Sequence, residues 1–341
     1  MKIKEIKQTP CTLRLNKIFC NAKNEYSIKE SILIEIITDS ITGYGEISPL
    51  EKFSNETFQE INWGLQAFIQ AIDYNIEYSL NDILMLVEIY CNQIPSLHFG
   101  MDTALYDIAS KKNKIPLSKF LSPTSCNNVK FSSLYSIQSH GKQYETNTIK
   151  YKLGTNSLNQ DIEVLESISN HNKSIKFRLD ANRNYTLGEF VNIYKKLEKF
   201  NVDYFEEPIK NLNIEKLKKI KNELNIKIAI DESLYDGSDY KTWLKTDLIN
   251  SIIIKPNIFG GYKKIFDLCR ISQNNNVKII FSSSLESSIG NMASIHLAAT
   301  LEDNQEHGLD IHNFYNTFSN NPIYKKNQLC INLESLIGLG I

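Results

Sequence analysis

Five short apolar runs in the middle of the chain each end in an ionisable residue, and this repeat limits the fold more than any other feature. The runs end at Lys152, Asp180, Glu206, Asp231 and Lys255, and successive ends lie 24 to 28 residues apart. One strand, one helix and two loops of a parallel barrel take roughly 30 residues. Each interval therefore fits one strand–helix unit, and the five side chains are expected on one rim, at the carboxyl ends of neighbouring parallel strands.

Three carboxylates on this rim predict a divalent-metal site. Asp180, Glu206 and Asp231 have only oxygen ligands to offer and no Cys or His beside them, which favours Mg²⁺, with Mn²⁺ as an alternative. One such charge taken alone fits a salt bridge at a barrel rim, but three acids buried together are costly without a cation. In the pairs 206–207 and 231–232 successive side chains face opposite ways, so one residue of each pair is expected to be the main metal ligand.

Lysines on the strands before and after the acids suggest proton transfer. A lysine with the ordinary pKa near 10.4 is a poor base at neutral pH. Lys150 points the same way as Lys152, and together with a nearby cation it would favour the neutral amine of Lys152. A metal-bound carboxylate substrate could then lose its α-proton to Lys152, and the metal and Lys255 would stabilise the resulting enediolate. Arg178 points the same way as Asp180.

Composition and charge narrow the class of protein. The chain has 341 residues, which suits one large domain with a smaller one. Its formal net charge is −1 and it has no long basic run, so neither nucleic acid nor an anionic membrane is an expected partner. The expected partner is a small-molecule carboxylate, while the sequence does not fix the oligomeric state.

The cysteines and the amino terminus indicate where in the cell the protein is expected. Six cysteines are scattered without a CxxC pair, which favours reduced thiols over a disulfide or zinc framework. The start, MKIKEIKQTP, has no apolar signal region, and no apolar run approaches the ~20 residues of a membrane span. A cytoplasmic location is expected.

Periodicity divides the chain into two parts. Residues 1–50 have the pattern of β-strands, and apolar positions between 58 and 108 recur at helical spacing. Strands followed by helices indicate a separate α+β unit. A polar run at 122–128 marks the boundary. Strand–helix alternation then continues from the strand at 130–137 to a seventh strand ending at Ser282 and a short eighth at 308–310. The predicted domains are 1–122 plus 316–341, and a barrel over 123–315.

The segment 282–290, SSSLESSIG, follows the seventh strand and opens a helix. Free N–H groups and the helix dipole make such a start an anion site, here for a second carboxylate of the substrate. Ser283, Ser284 and Gly290 are the candidate contacts, although simple capping of the helix fits the composition equally well. The histidines show no ligand spacing and are interpreted as structural or surface groups. They are His98, His140, His171, His296, His307 and His312.

These motifs resemble those of the o-succinylbenzoate synthases, in the muconate-lactonising subgroup of the enolase superfamily. The matching stretches, in order, are GYGEISPL (43–50), KYKLG (150–154), FRLDANR (177–183), FEEP (205–208), IAIDESL (228–234), IIIKPN (252–257), SSSLESSIG (282–290) and GLD (308–310). The resemblance covers almost the whole chain. Tyr185 stands where the family often has tryptophan, and the ending SLIGLGI lacks the usual proline.

The resemblance implies a modified (β/α)₇β barrel with an α+β capping domain, which the carboxy-terminal tail completes. Loops near 19–27 and 50–54 would close over the site. By position, Asp180, Glu206 and Asp231 become the Mg²⁺ ligands and Lys152 the acid–base group, with Lys255 on the opposite face. Lys150 and Arg178 would support the site, with Asn182 in the same neighbourhood.

The implied reaction is the syn-elimination of water from 2-succinyl-6-hydroxy-2,4-cyclohexadiene-1-carboxylate in menaquinone biosynthesis. A dipeptide epimerase or N-acylamino-acid racemase is the nearest rival and would use the same two lysines. Epimerases of this scaffold place two acids near the eighth strand to bind an ammonium group, whereas this chain has only Asp310 at the matching place. A non-catalytic ligand-binding barrel is a more distant rival.

Overall fold

The computed structural model describes residues 1–20, 25–51, 53–135, 146–311, 314–315 and 330–341. Its amino-terminal part is an antiparallel sheet, in the order β1 (Ile3–Cys20), β2 (Glu25–Thr38), β3 (Thr42–Ile47), covered by helices. The helices are α1 (Phe58–Ala71), α2 (Leu80–Cys91), α3 (Pro95–Lys112) and the short α4 (Leu117–Leu121). Capping boxes at Thr57–Glu60 and Ser79–Asp82 start α1 and α2. The predicted α+β unit is therefore confirmed.

The second part is a curled sheet of parallel strands with helices between them. Its strands are β4 (Asn128–Phe131), β5 (Ser133–Leu134), β6 (Thr148–Lys152), β7 (Lys176–Asp180), β8 (Val202–Glu206), β9 (Ile228–Ile230), β10 (Ser251–Ile254), β11 (Lys278–Phe281) and β12 (Glu306–His307). Strands β5 to β11 pair in chain order. The connecting helices are α5 (Leu158–His171), α6 (Leu187–Leu197), α7 (Ile214–Glu223), α8 (Tyr240–Leu244), α9 (Pro256–Phe259), α10 (Tyr262–Asn274) and α11 (Ser288–Ala299).

Strand β12 closes the ring, because it pairs in parallel with β4 and the chain beyond it bridges to β11 through Ser282 and Gly308. The predicted barrel with a capping unit is confirmed. The eighth strand is at Glu306–His307, however, and the prediction of 308–310 was two residues late. Gly308 N donates to Phe281 O, and Ile311 N then turns back to Leu309 O, so the chain leaves the sheet after Gly308.

The strand predicted at 130–137 is broken at Ser132. Ser132 N donates to His307 O, whereas Tyr135 N donates to Lys150 O. The chain changes its sheet partner between these two bonds, from β12 to β6. Residues 136–137 of this predicted strand lie outside the described residues, as does most of the connection to β6.

The described part of the carboxy-terminal tail touches both units. Strand β13 (Cys330–Asn332) pairs antiparallel with β4. Farther on, Leu117 N donates to Gly338 O at 2.8 Å, and Leu339 N donates to Asp107 Oδ1 at 2.8 Å. Residues 316–329 lie outside the described residues, so the predicted domain boundaries stay predictions. No helix among the described residues is long and apolar enough to cross a membrane.

Candidate active site

Strand register brings the predicted rim residues together. Lys152 on β6 pairs with Asp180 on β7, and Asp180 pairs with Glu206 on β8. Asp231 follows β9 directly and Lys255 follows β10 directly. All five therefore stand at the carboxyl ends of adjacent parallel strands, as the spacing predicted.

Lysine ammonium groups lie against the three acids. Lys150 Nζ is 2.9 Å from Asp180 Oδ2 and 2.7 Å from Glu206 Oε1, while Lys255 Nζ forms an ion pair with Asp231 Oδ2. Burial opposes the charge on Lys150, but the attraction of Asp180, Glu206 and Asp231 outweighs it and holds the pKa of Lys150 well above its usual value. Lys150 is therefore a structural cation, held among the acids.

The acids respond differently to this setting. Burial, followed by repulsion from Asp180, raises the pKa of Glu206 well above its usual range, although Lys150 opposes the rise. Burial also opposes ionisation of Asp180, but Lys150 and Lys152 outweigh it and lower the pKa of Asp180. The ionised form of Glu206, unlike that of Asp180, thus needs further positive charge.

The oxygen atoms of this cluster fit a hard divalent cation. Glu206 Oε2, Asp231 Oδ1 and Glu232 Oε2 are buried and make no hydrogen bond. Buried polar atoms are almost always satisfied, so unpaired carboxylate oxygens indicate room for a further ligand. Within the described part of the chain no three acids, imidazoles or thiols already lie at metal-ligand geometry. Instead, Lys150 Nζ contacts both Asp180 and Glu206.

The second acid of FEEP has a separate role. Glu207 Oε1 accepts from Asp231 N at 2.9 Å and Ser233 N at 2.8 Å, and its Oε2 accepts from Arg183 Nε at 2.8 Å. Glu207 therefore holds the segment that carries Asp231. Asn182, Arg183 and Glu207 have φ of 43°, 62° and 42°, a strained region for non-glycine residues that is often found at functional sites.

The second acid of the other pair, Glu232, also borders the pocket. Its Oε1 accepts from Asn182 Nδ2 at 3.1 Å. Burial and then the charge of Asp231 raise the pKa of Glu232 to about 7. The expected alternation thus separates Glu206 from Glu207, whereas Asp231 and Glu232 face the same space.

A pocket opens beside Asp180 and Asp231, and Glu206 is not among its lining residues. Lys152 and Lys255 both border it, as do Asp180 and Asp231. The ring of Phe53 lies with its centroid 4.5 Å from Lys255 Nζ. The remaining lining is mostly apolar or hydroxylic: Leu50, Ser132, Leu134, Ser282, Ser283, Ser284, Leu285, Gly308, Ile311 and Phe314, with Lys150, Asn182, Glu232 and Asp310 as further polar members.

Two of the predicted substrate contacts lie away from this pocket. Arg178 is 2% exposed, and its Nε donates to Asp203 Oδ2 at 3.1 Å. Gly290 N donates to Glu46 Oε2 at 3.0 Å, so the carboxylate of Glu46 caps the N-terminus of α11. Simple capping, the alternative interpretation of this segment, agrees with these bonds, and a direct contact of Gly290 or Arg178 with substrate stays a prediction.

The described histidines take no part in the pocket lining. Burial lowers the pKa of His296 to about 4 and, more strongly, that of His307 to about 3, so both rings are neutral at pH 7. His98 is buried beside Asp102, and His171 is on the surface. His140 and His312 lie outside the described residues, as do residues 21–24 and Lys52 of the two predicted capping loops.

Two buried acids that support the site were not predicted. Asp161 in α5 accepts from Tyr151 OH at 2.7 Å and from Gly154 N at 3.0 Å, and these partners flank Lys152 in the chain. Glu46, on β3, contacts α11. The pair of glycines in GYGE was the one available signal for Glu46, while Asp161 has the sequence pattern of an ordinary helix residue.

Comparison with known proteins gives two family matches. A protein-family model described as "Enolase C-terminal domain-like" matches residues 137–341. The model described as "MenC, N-terminal domain" matches residues 15–108.

Similar curated proteins include both rival activities. An L-Ala-D/L-Glu epimerase of Francisella tularensis subsp. novicida is 26% identical, over 96% of this chain and 98% of that protein. A hydrophobic dipeptide epimerase of Enterococcus faecalis is 26% identical, over 91% and 90%. An o-succinylbenzoate synthase of Pasteurella multocida is 27% identical, over 83% and 81%.

A solved dipeptide epimerase from Enterococcus faecalis, complexed with Mg and L-Leu-L-Tyr, superposes with a TM-score of 0.86 and 25% identity. It covers 100% of this chain and 99% of its own. A muconate lactonizing enzyme from Pseudomonas fluorescens has a TM-score of 0.83 at 18% identity, which is a likeness of fold.

Proposed function

Because the chain belongs to the enolase superfamily, in its muconate-lactonising subgroup, we propose that it is an o-succinylbenzoate synthase. It would dehydrate 2-succinyl-6-hydroxy-2,4-cyclohexadiene-1-carboxylate to 2-succinylbenzoate. The observation that carries the proposal is that Lys152 and Lys255 border one pocket together with Asp180, Asp231 and an apolar wall.

The wall of the pocket favours a carbocyclic substrate over a dipeptide. Leu50, Phe53, Leu134 and Phe314 offer apolar surface, which suits a ring and a short alkyl chain. A dipeptide brings an ammonium group, whose burial requires anionic partners. Apart from Asp180, Asp231 and Glu232, Asp310 is the one acid among the described residues that borders this pocket.

Asp180, Glu206 and Asp231 would hold Mg²⁺, whose charge would stabilise the negative charge that develops on the substrate carboxylate. The neutral amine of Lys152 takes the proton from C1. The same proton then goes to the hydroxyl leaving C6, so that water departs and the ring becomes aromatic. Lys255, with Phe53 and Tyr235 beside its ammonium group, faces the developing charge from the other side.

Dipeptide epimerisation is the second candidate. The Francisella and Enterococcus relatives match a larger share of the chain than the synthase from Pasteurella does. Two lysines on one pocket also suit removal of an α-proton from one face and its return to the other. The two activities therefore share the residues named above and differ in the remainder of the ligand.

The test assays the purified protein with Mg²⁺ on both substrate classes. With the cyclohexadiene, we expect formation of 2-succinylbenzoate, and Lys152→Ala should lower kcat at least about 10²-fold, the usual loss for a general acid–base group. Lys176→Ala, at an exposed site on β7, is the matched control and should keep full activity.

L-Ala-L-Glu and N-succinylamino acids are incubated in parallel in D₂O. Exchange of their α-proton for deuterium without any dehydration of the cyclohexadiene would favour the second candidate over the first. Turnover by Lys152→Ala within tenfold of the wild-type rate would contradict the proposed role of Lys152 in either reaction.

A further inference from the structure

The glycines of GYGEI bring β3 against α3. A Cβ atom on Gly43 would lie 2.1 Å from Ala104 O, and one on Gly45 would lie 2.0 Å from Gly100 O. A Cβ atom on Gly100 would in turn lie 2.8 Å from Glu46 O. Backbone therefore packs on backbone here, and the position of Glu46 is fixed by the core of the capping unit.

The side chain of Glu46 leaves this unit and ends in the barrel. It is 0% exposed, and its carboxylate accepts from Ser287 N at 2.9 Å, from Ser287 Oγ at 2.5 Å and from Gly290 N at 3.0 Å. A Cβ atom on Gly290 would lie 2.9 Å from Glu46 Oε2. The start of α11 is thus shaped around this carboxylate, which also compensates the helix dipole.

The residues just before α11 form one wall of the pocket. Ser283 and Ser284 border the pocket, and both donate to Glu286 Oε2, with distances of 2.8 Å from Ser283 Oγ and 2.6 Å from Ser284 N. Glu286 is fully buried and is adjacent in the chain to Ser287. Anchoring Ser287 on Glu46 therefore fixes the end of the segment that presents Ser283 and Ser284.

The part of the pocket wall formed by Leu50 is also connected to Glu46. Lys29 is buried, and its Nζ donates to Ser48 O at 3.3 Å and also to Pro49 O. Its charge lies close enough to Glu46, Glu286 and Glu56 to interact with all three. Leu50, which follows Pro49, borders the pocket.

We propose that Glu46 is a positioning residue of the active site, which aligns the serine wall of the barrel with the Leu50 and Phe53 wall of the capping unit. The inference rests on the proposed function for its substrate, but the alignment itself does not. Glu46 touches no reacting atom, and its effect is on the binding of the part of the substrate that lies between the walls.

The experiment compares Glu46→Gln with Glu56→Gln. Glu56 is a suitable control because its carboxylate also caps a helix, accepting from Ser96 N of α3 at 3.1 Å, and also attracts Lys29. It differs from Glu46 in that it caps α3 and not α11, and it does not border the pocket. Kinetics with the cyclohexadiene and Mg²⁺ are measured beside amide hydrogen exchange of the magnesium-free proteins.

For Glu46→Gln we expect KM to rise about tenfold, as for the loss of one charge-assisted hydrogen bond, with kcat within about threefold of wild type. Amides of residues 283–290 should exchange about tenfold faster, by the same loss of hydrogen bonding. Glu56→Gln should accelerate exchange at the start of α3 and leave KM unchanged.

An unchanged KM in Glu46→Gln, or an equal rise in Glu56→Gln, would overturn the proposal, as would unchanged exchange at 283–290. If Glu46→Gln does not fold, Ser287→Ala, which removes one donor, should shift KM and exchange in the same direction by less. The wild-type protein could have no activity on the cyclohexadiene, and this result would refute only the proposed reaction. Amide hydrogen exchange at 283–290 would still test whether Glu46 positions this segment.

Discussion

The surroundings of Glu206 oppose its own charge. It is fully buried, two other acids repel it, and one of its oxygens has no hydrogen-bond partner. Its neighbour Glu207 is equally buried but accepts hydrogen bonds at both oxygens. We therefore expect the same side chain, at successive positions, to have opposite effects on the free energy of unfolding.

Glu206→Gln and Glu207→Gln test this contrast by thermal unfolding. Without Mg²⁺, Glu206→Gln should unfold at or above the wild-type temperature, because the amide removes one of the repelling charges. Mg²⁺ at 100 times its Kd should raise the free energy of unfolding of the wild-type protein by about 2.7 kcal/mol, and with it the midpoint temperature. It should have little effect on the stability of this variant.

Glu207→Gln should lower the midpoint temperature with or without Mg²⁺, because Arg183 loses its anionic partner. The free energy of unfolding should fall by about 3 kcal/mol. If Glu206→Gln without Mg²⁺ were destabilised as much as Glu207→Gln, Glu206 would be a structural acid and not a candidate ligand.

Residues at strand ends could be predicted from the sequence, whereas their supports could not. Lys152, Asp180 and Glu206 are aligned by strand register alone, and register follows from regular spacing. Glu46 meets Ser287 across 241 positions. A contact of that kind depends on how two units pack, which no local pattern reports.

At the level of elements, the contact of β3 with α3 depends on the absence of side chains. Gly45→Ala should destabilise the protein by at least about 2 kcal/mol, because the added methyl group meets the backbone oxygen of Gly100 and the core has no space to give. Chemical denaturation measures the change.

Gly188→Ala is the control, since a Cβ atom there has nothing within 4 Å. It lies in α6 and should stabilise the protein by up to about 1 kcal/mol through helix propensity. Equal stability of the two variants would show that β3 and α3 can separate without loss.

Helices with an apolar stripe were predicted well, and short strands were not. The apolar positions of α1 and α2 repeat over several turns, and both helices start at capping boxes. Strand β12 has only two residues, and its bounds are set by bonds to Phe281 and Ser132. Tertiary pairing, not local preference, determines such an element.

His296 joins three distant parts of the molecule. Its Nδ1 accepts from Ser118 N at 3.1 Å and its Nε2 contacts Leu339 O at 3.4 Å, so α11, α4 and the carboxy-terminal tail meet at one neutral ring. Burial lowers its pKa from 6.5 to about 4. His296 is therefore protonated below pH 6.5 in the unfolded chain, but only below about pH 4 in the folded chain.

The free energy of unfolding should accordingly fall as the pH drops through this window, by about 1.4 kcal/mol per pH unit from this group. His296→Gln, whose amide can keep both contacts, should show a shallower acid slope than wild type. His171→Gln, at an exposed site, should keep the wild-type slope. Equal slopes in all three proteins would mean that His296 is not held neutral.

For the whole molecule, the resemblance of the motifs implied a barrel, and the interval of 24 to 28 residues indicated the repeated strand–helix units that build it. It did not predict how the ring closes, or that the tail would pair with β4. Both features depend on segments too short to carry a period.

The ring is consequently uneven around its circumference. Five residue pairs join β6 to β7, whereas β12 meets β4 through two pairs and reaches β11 through a single bridge. Strands β8 and β9, and β9 and β10, also meet through two pairs each, so the single bridge between β12 and β11 is the thinnest join of the ring. Opening fluctuations should concentrate there, since few hydrogen bonds must break. Asp310 and Ile311 lie just past this bridge, so the flank of the cavity that they form should have the freedom to adjust to ligands of different length.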